Sequence, residues 1–345
     1  MSFEKKDVLQ LSGKDIEAVK ALLAASDLRL DSAIETTLGI KKEGELVATG
    51  SVYGNVIKCL AVAKNCRGEG LAATIVTALI DYLADKGIHH QFIYTKPETA
   101  ELLNSLGFTE ISRVDDKVVL LEGGMGTIDD WCKELSAKRL PCERAACVVV
   151  NANPLTKGHL HLLKTAHDAE GALHILVVST ERSTFPGKVR RGIIENATAQ
   201  WENTIIHRAG EYIVSMATFP AYFTREEDVA KLQALLDVRV FSQYVVPALG
   251  ITARYVGEEP YCPITRLYNE AMSESLPQNG IDFHVIPRVA KDGRAISASR
   301  VRQILRDGGG ANDVKGLVPE ATYDFLQSPE GEKVIANIRQ KMSRH

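Results

Sequence analysis

From about residue 145 onward, apolar runs and helical patterns take turns along the chain, and this alternation is what most narrows the fold. Strands read at 145–151, 173–179, 204–207, 253–256 and 283–286. Helices read at 158–169, 188–200, 226–236, 263–274 and 297–306. A parallel strand can return to the same end of a sheet only by a crossover, so the pattern predicts a parallel, doubly wound α/β sheet. Ligands of such sheets sit beyond the carboxyl ends of the strands.

At 345 residues the chain is too long for one ordinary domain. The part before the alternation reads as helix 14–24, strands near 35–42, 45–52 and 56–63, helix 70–86, strand 91–95, helix 98–105 and strands 108–113 and 117–121. That order predicts a mixed α/β domain over residues 1–125. Glycines at 123, 124 and 126 and Pro141 bracket a linking helix within 126–143, with Asp129 and Asp130 at its start. The doubly wound domain then takes 144–345.

A net charge of −3 gives no general attraction to nucleic acid, and no stretch is long enough to span a bilayer. MSFEKKDVLQ lacks the apolar core of a signal peptide. The six cysteines are scattered without a CxxC pair, the pattern of reduced thiols and not of a zinc site. A cytoplasmic protein is expected. His89 and His90 read as a loop, and the aromatics and Met216 of EYIVSMATFPAYF (211–223) as core or interface.

The turn after the first strand of the second domain is Asn151-Ala-Asn153-Pro154-Leu-Thr156-Lys-Gly158-His159. Pro154 and Gly158 make a tight path from strand to helix, whose first N–H groups and positive dipole end face the crevice. His159 and Thr156 can add donors to a phosphate there. Near the other end, AISASRVRQIL (295–305) puts Ser297 or Ser299 at a helix start, with Arg302 one turn after Ser299. Gly257 and Glu258, with Glu259, stand at another strand end, where a nucleoside contact and a plain corner are both open readings. Arg190 is a candidate phosphate contact, with Arg191 beside it.

The two motifs in this order resemble those of the nucleotidylyltransferase superfamily, in which a strand is followed by (H/T)xGH and an ISxSxxR-type segment opens a late helix. That resemblance implies a Rossmann-like fold and attack of a nucleophile on the α-phosphate of ATP, with loss of pyrophosphate. His159 and Thr156 would hold the α-phosphate, Ser299 and Arg302 the β- and γ-phosphates, and Mg²⁺ would bridge the phosphates. Asn151, Asn153, Pro154, Gly158 and Ser297 would complete the ATP site.

In the first domain, Arg67-Gly68-Glu-Gly70-Leu-Ala72 lies at a strand-to-helix junction. It resembles the segment with which GNAT-type acetyltransferases cradle the pyrophosphate of coenzyme A on bare backbone amides. Arg67, Gly68, Gly70 and Ala72 are thereby implied in binding a coenzyme-A-like arm. The likeness departs at Leu103, where many of those enzymes carry a tyrosine that protonates the departing thiolate. Leucine cannot exchange a proton, so the domain is expected to bind such an arm without ordinary amine acetylation.

Joined, the halves resemble the citrate lyase ligases over essentially the whole chain, through NVIKC, RGEGLA, FIYTK, NANPLTKGH, FSQYVVPALGITARYVGEEP and ISASRVRQIL among others. The resemblance implies acetylation of the prosthetic-group thiol of the citrate lyase acyl carrier subunit. That group is a phosphoribosyl-dephospho-coenzyme-A. Acetate would be used through an acetyl-adenylate, with release of AMP and pyrophosphate. Three other activities stay open from sequence. One is an adenylyltransferase acting on a phosphorylated pantetheine or a nicotinamide nucleotide. Another is an N-acetyltransferase fused to a nucleotide-binding module. The last is a non-catalytic sensor of ATP and coenzyme A.

Overall fold

Short apolar runs separated by tight turns fold the first part into one seven-stranded sheet. The computed structural model describes residues 7–178, 183–213, 226–259 and 263–340; positions 214–223 of the aromatic stretch and Cys262 lie outside them. The strands are β1 (Val8–Gln10), β2 (Thr36–Lys42), β3 (Glu45–Tyr53), β4 (Val56–Val62), β5 (His90–Thr95), β6 (Thr109–Val114) and β7 (Val118–Gly124), in the order β1-β2-β3-β4-β5-β7-β6. Helices α1 (Ile16–Ala24), α2 (Leu71–Ala84) and α3 (Pro97–Ser105) complete this domain. Glu43 and Gly44 both have positive φ and close the β2–β3 hairpin, a turn whose twist matches that of its strands.

Strands β4 and β5 are parallel, and they pair only at Val56–Ile57 against Phe92–Ile93. Beyond Ile57 the ladder ends, and a cavity of about 710 Å³ opens among Leu60, Ala61, Val62, Thr95, Lys96 and the start of α2. His90, expected in a loop, instead begins β5 opposite Gly124, with Nε2 3.1 Å from Glu122.

Helix α4 (Ile128–Ser136) follows, as the bracketing glycines and proline predict. The second sheet comprises β8 (Ala146–Val150), β9 (Leu173–Val177), β10 (Thr204–Arg208), β11 (Ala253–Gly257) and β12 (Asp282–Ile286). It is parallel throughout, in the order β10-β9-β8-β11-β12. This is the Rossmann-like, doubly wound arrangement, and the order reverses between β8 and β11, the position at which such sheets bind ligands.

Crossovers run through α5 (Lys157–Glu170), α6 (Gly187–Ala197), α7 (Glu226–Val240), α8 (Val246–Leu249) and α9 (Pro263–Ser275). Val148, Leu163, Ile175 and Ala253 are fully buried in the core between sheet and helices. A hairpin, β13 (Ala290–Lys291) and β14 (Arg294–Ala295), precedes α10 (Ala298–Arg306), and α11 (Ala311–Val314), α12 (Glu320–Gln327) and α13 (Pro329–Gln340) end the described chain.

Two compact units divide near Trp131, inside the linking helix. Glu226–Val240, expected from sequence in the doubly wound domain, groups with the first unit. The reason is local: Arg239 of α7 donates to the carbonyl of Arg113 and to Asp115, so the helix is held on β6.

The second sheet buries a histidine pair. His174 of β9 and His207 of β10 lie 2.9 Å apart, Nδ1 to Nε2, both almost wholly shielded from solvent. Burial pushes His174 down to about 4, helped by Arg139. His207 falls to about 3 through burial and the charges of His174, Lys138 and Arg191. Both rings are therefore neutral in the folded protein, whereas the unfolded chain takes up protons near 6.5. Stability from this pair is full above that pH and is lost as pH falls from about 6.5 towards 4. Unfolding free energy measured by denaturant titration at pH 7 and pH 5 should fall by about 1 kcal/mol or more, and the His174→Phe/His207→Leu double variant should flatten that dependence. An equally steep fall in the double variant would contradict this.

Candidate functional site

A cavity of about 490 Å³ opens at the carboxyl ends of β8 and β11, where the strand order reverses. Its walls include Val150 and Asn151 after β8, Thr156, Gly158 and His159 at the start of α5, Gly257 and Glu258 after β11, and Ser297 and Ser299 at the start of α10. Segments more than a hundred residues apart in sequence thus face each other across one crevice. The segments entering α5 and α10 each contribute a helix N-terminus, a place where N–H groups and dipole favour an anion.

The start of α5 is built by a reciprocal cap. Thr156 Oγ1 accepts from the backbone N–H of His159 at 3.3 Å, and His159 Nδ1 accepts from the backbone N–H of Thr156 at 3.2 Å. This is the capping-box logic with histidine in the place usual for Glu or Gln. Since Nδ1 is an acceptor, the ring proton belongs on Nε2. Burial, with the charge of Arg288, pushes the imidazole down to about 4. A neutral ring in this tautomer presents Nε2–H as a donor from the crevice wall. Thr156 is almost wholly buried, and its hydroxyl serves the cap and the orientation of His159.

Gly158 is small for a packing reason. A Cβ there would stand 3.2 Å from the carbonyl oxygen of Ile296, so the bare backbone lets α5 approach the segment entering α10. The sequence left Ser297 and Ser299 as alternatives for the α10 cap, and geometry separates them. Ser297 Oγ accepts from the Arg300 N–H at 3.1 Å and is the cap. Ser299 Oγ accepts from Arg302 at 3.2 Å. Arg302 also donates to the carbonyl of Asn153, tying α10 to the turn after β8. Lys157 N–H donates to the Leu317 carbonyl and Thr322 Oγ1 to the Leu155 carbonyl, each at 2.9 Å, so the C-terminal helices hold the turn from behind.

Asn153, Pro154, Arg190 and Arg302 are not among the crevice-lining residues. Asn153 Oδ1 accepts from the Phe185 N–H at 2.9 Å. Arg190, a candidate phosphate contact from sequence, is fully buried instead. Its guanidinium donates to the carbonyls of Phe185 (3.0 Å), Asn151 (2.6 Å) and Val178 (2.8 Å), and to Asn151 Oδ1 (2.8 Å). Three carbonyls and the Asn151 amide oxygen thus hold Nε and Nη1, and through them Arg190 shapes the strand end. Two wall residues were missed in the sequence, His161 and Arg288. His161 stands two residues after His159, where helical spacing turns most side chains aside. Arg288 follows β12 in no recognisable motif; its Nε donates to the Glu258 carbonyl at 2.7 Å and its guanidinium pairs with Glu259.

In the first unit, Arg67, Gly68, Gly70 and Ala72 all line the cavity beside β4. Gly68 and Gly70 have φ of 85° and 78°, the left-handed region that side chains disfavour, and Gly70 is the N-cap of α2. Leu103, almost wholly buried, lines the same cavity, as do Thr49, Cys66 and Lys96. Among the described residues, no group of three or more His, Cys, Asp or Glu could hold a metal ion, the five described cysteines are free thiols, and no helix is long and apolar enough to cross a membrane.

Comparison with known proteins decides the family. Residues 145–326 match the model of the citrate lyase ligase C-terminal domain, and residues 13–108 match that of the acetyltransferase (GNAT) family. A "[Citrate [pro-3S]-lyase] ligase" of Escherichia coli (strain K12) is 35% identical over 341 residues, covering 97% of both chains. The chain belongs to the citrate lyase ligase family. Relatives of the same description in Klebsiella pneumoniae and Haemophilus influenzae are 34% identical, covering 93% and 95% of this chain and 95% and 98% of theirs. Membership in this family accounts for a GNAT-like domain and a Rossmann-like domain in one chain. The GNAT match falls within the first unit, and the citrate lyase ligase match covers the residues that line the second crevice.

The Arg190 anchor gives a direct test of how the ligase crevice is held. Arg190→Met should lower the unfolding free energy by about 2–4 kcal/mol, because buried carbonyls lose a charged donor. A loss below about 0.5 kcal/mol in denaturant titration would mean that the turn after β8 does not rely on it.

Proposed function

We propose that this protein activates citrate lyase by acetylating the thiol of a phosphoribosyl-dephospho-coenzyme-A group on the lyase's acyl carrier subunit. The observation that carries the reading is the crevice in which the starts of α5 and α10 face each other beside a neutral His159. Acetate and ATP would meet there. A carboxylate oxygen bonds to the α-phosphorus, the bond bridging the α- and β-phosphates breaks, and its electron pair leaves with pyrophosphate. The resulting acetyl-adenylate is a mixed anhydride. The carrier thiol then attacks its carbonyl carbon, losing its proton, and AMP departs.

Such an attack needs positioning and donors where negative charge accumulates, with little covalent help from the protein. His159 Nε2–H is suited to the α-phosphate. The N-terminus of α10 with Ser297 and Ser299 is suited to the departing phosphates, and Arg302 stands at its edge. Gly257 and Glu258 are placed for the adenosine. Magnesium would arrive on the nucleotide and neutralise its phosphates. Glu258 and Glu259 are the carboxylates nearest to hand, too few for a dedicated protein cage.

The cavity of the first unit is suited to the prosthetic arm. Its walls are mostly apolar, and Leu103 there cannot move a proton, which supports binding without transfer. Adenylation in one unit and grip of the arm in the other are thereby separable functions. A cytoplasmic setting would supply acetate, ATP and the carrier together.

His159→Ala should cut acetate-dependent exchange of pyrophosphate into ATP by about 10²-fold or more. Near-normal exchange in that variant would count against the site. Arg67→Glu should leave this exchange intact while slowing acylation of the carrier by about tenfold or more, since repulsion replaces a cation facing the arm's phosphates. Equal loss of both activities would contradict the division of labour.

A further inference from the structure

We propose that Arg288 is the residue that binds and orients the carboxylate of the acid substrate, and that the wall around it suits a short-chain acid. This rests on the adenylation reading above. Among the described residues lining the crevice, Arg288 is the only Lys or Arg. Arg190 is buried behind the wall, and Arg302 is engaged with Asn153 and Ser299 outside it. A carboxylate approaching a triphosphate meets like-charge repulsion, and a protein cation beside the carboxylate both eases it and fixes the direction of attack.

Arg288 stands where that cation is needed. Its charge is felt at His159, the residue at the α-phosphate end, where it adds to burial in depressing the imidazole. Two helix N-termini with their hydroxyls already serve the phosphates, and Arg288, in the segment between β12 and α10, adds the side-chain cation. Its guanidinium already holds a carboxylate, that of Glu259, and its Nε is fixed by the Glu258 carbonyl. The fork is therefore pre-shaped for a carboxylate, and Glu259 occupies the position that a substrate acid would take or share.

The neighbours bear on the size of that acid. Ile286, Val289 and Ile296 line the crevice beside Arg288 and offer an apolar wall to a methyl group, which suits a short-chain acid.

The test is pyrophosphate exchange with acetate and ATP varied separately, in the full chain and in Arg288→Gln, with Arg288→Lys as the conservative variant. Arg288→Gln should raise the KM for acetate about 10- to 100-fold while the KM for ATP moves less than about threefold. Arg288→Lys keeps the charge but loses the fork, and should fall between. Retained ATP binding by calorimetry shows that each variant is folded; if Arg288→Gln loses it, the Lys variant decides the question by the same split in KM. An unchanged KM for acetate, or a rise confined to ATP, overturns the assignment and leaves the adenylation reading standing. Exchange by the unsubstituted protein that does not depend on acetate would overturn both.

Discussion

Arg302 reaches from the first turns of α10 to the carbonyl of Asn153, and this bond joins the two segments on which the second domain's chemistry depends. One segment carries the cap that orients His159, and the other carries Ser297 and Ser299. Neither helix start makes an anion site of much specificity alone. Brought together at the reversal of a parallel sheet, they form a crevice with converging dipoles and a donor histidine. Gly158 permits the approach, and the C-terminal helices hold it from behind through the Leu317 and Leu155 carbonyls. Preorganised donors of this kind lower a barrier because they need no rearrangement as charge develops.

The two cavities divide by chemistry. In the second unit polar donors converge. In the first, the splay of β4 from β5 opens a mostly apolar slot, floored by glycines whose backbone can approach a phosphate closely. Leucine at 103 leaves that slot without a proton carrier at the position where many acetyltransferases have one. That absence is consistent with a slot that holds an arm, with the proposed activation chemistry assigned to the other crevice.

Much of this was legible in the sequence where the signal was local. Strand–helix alternation from 145 gave the parallel sheet, and NANPLTKGH and AISASR marked two of its functional ends, because caps and tight turns impose residue types at fixed spacing. Roles that depend on which way a side chain turns were not legible. Arg190 and Arg302 both read as phosphate contacts, yet one is wholly buried on carbonyls and the other reaches back to a backbone oxygen. Arg288 gave no signal, since an arginine after a strand looks like any solvated residue until the fold closes around it. Helix α7 reads as a helix wherever it packs; that it is held on β6 shows only in the bonds from Arg239. The four-residue α11 and the helices after it follow no strand, so alternation could not announce them.

We propose that a nucleoside triphosphate lies between residues 151–159 and 297–302. A crystal structure with a non-hydrolysable ATP analogue would show it. The α-phosphate should lie within hydrogen-bonding distance of His159 Nε2, with the outer phosphates at the start of α10. A nucleotide seated elsewhere, with that crevice empty, would contradict it.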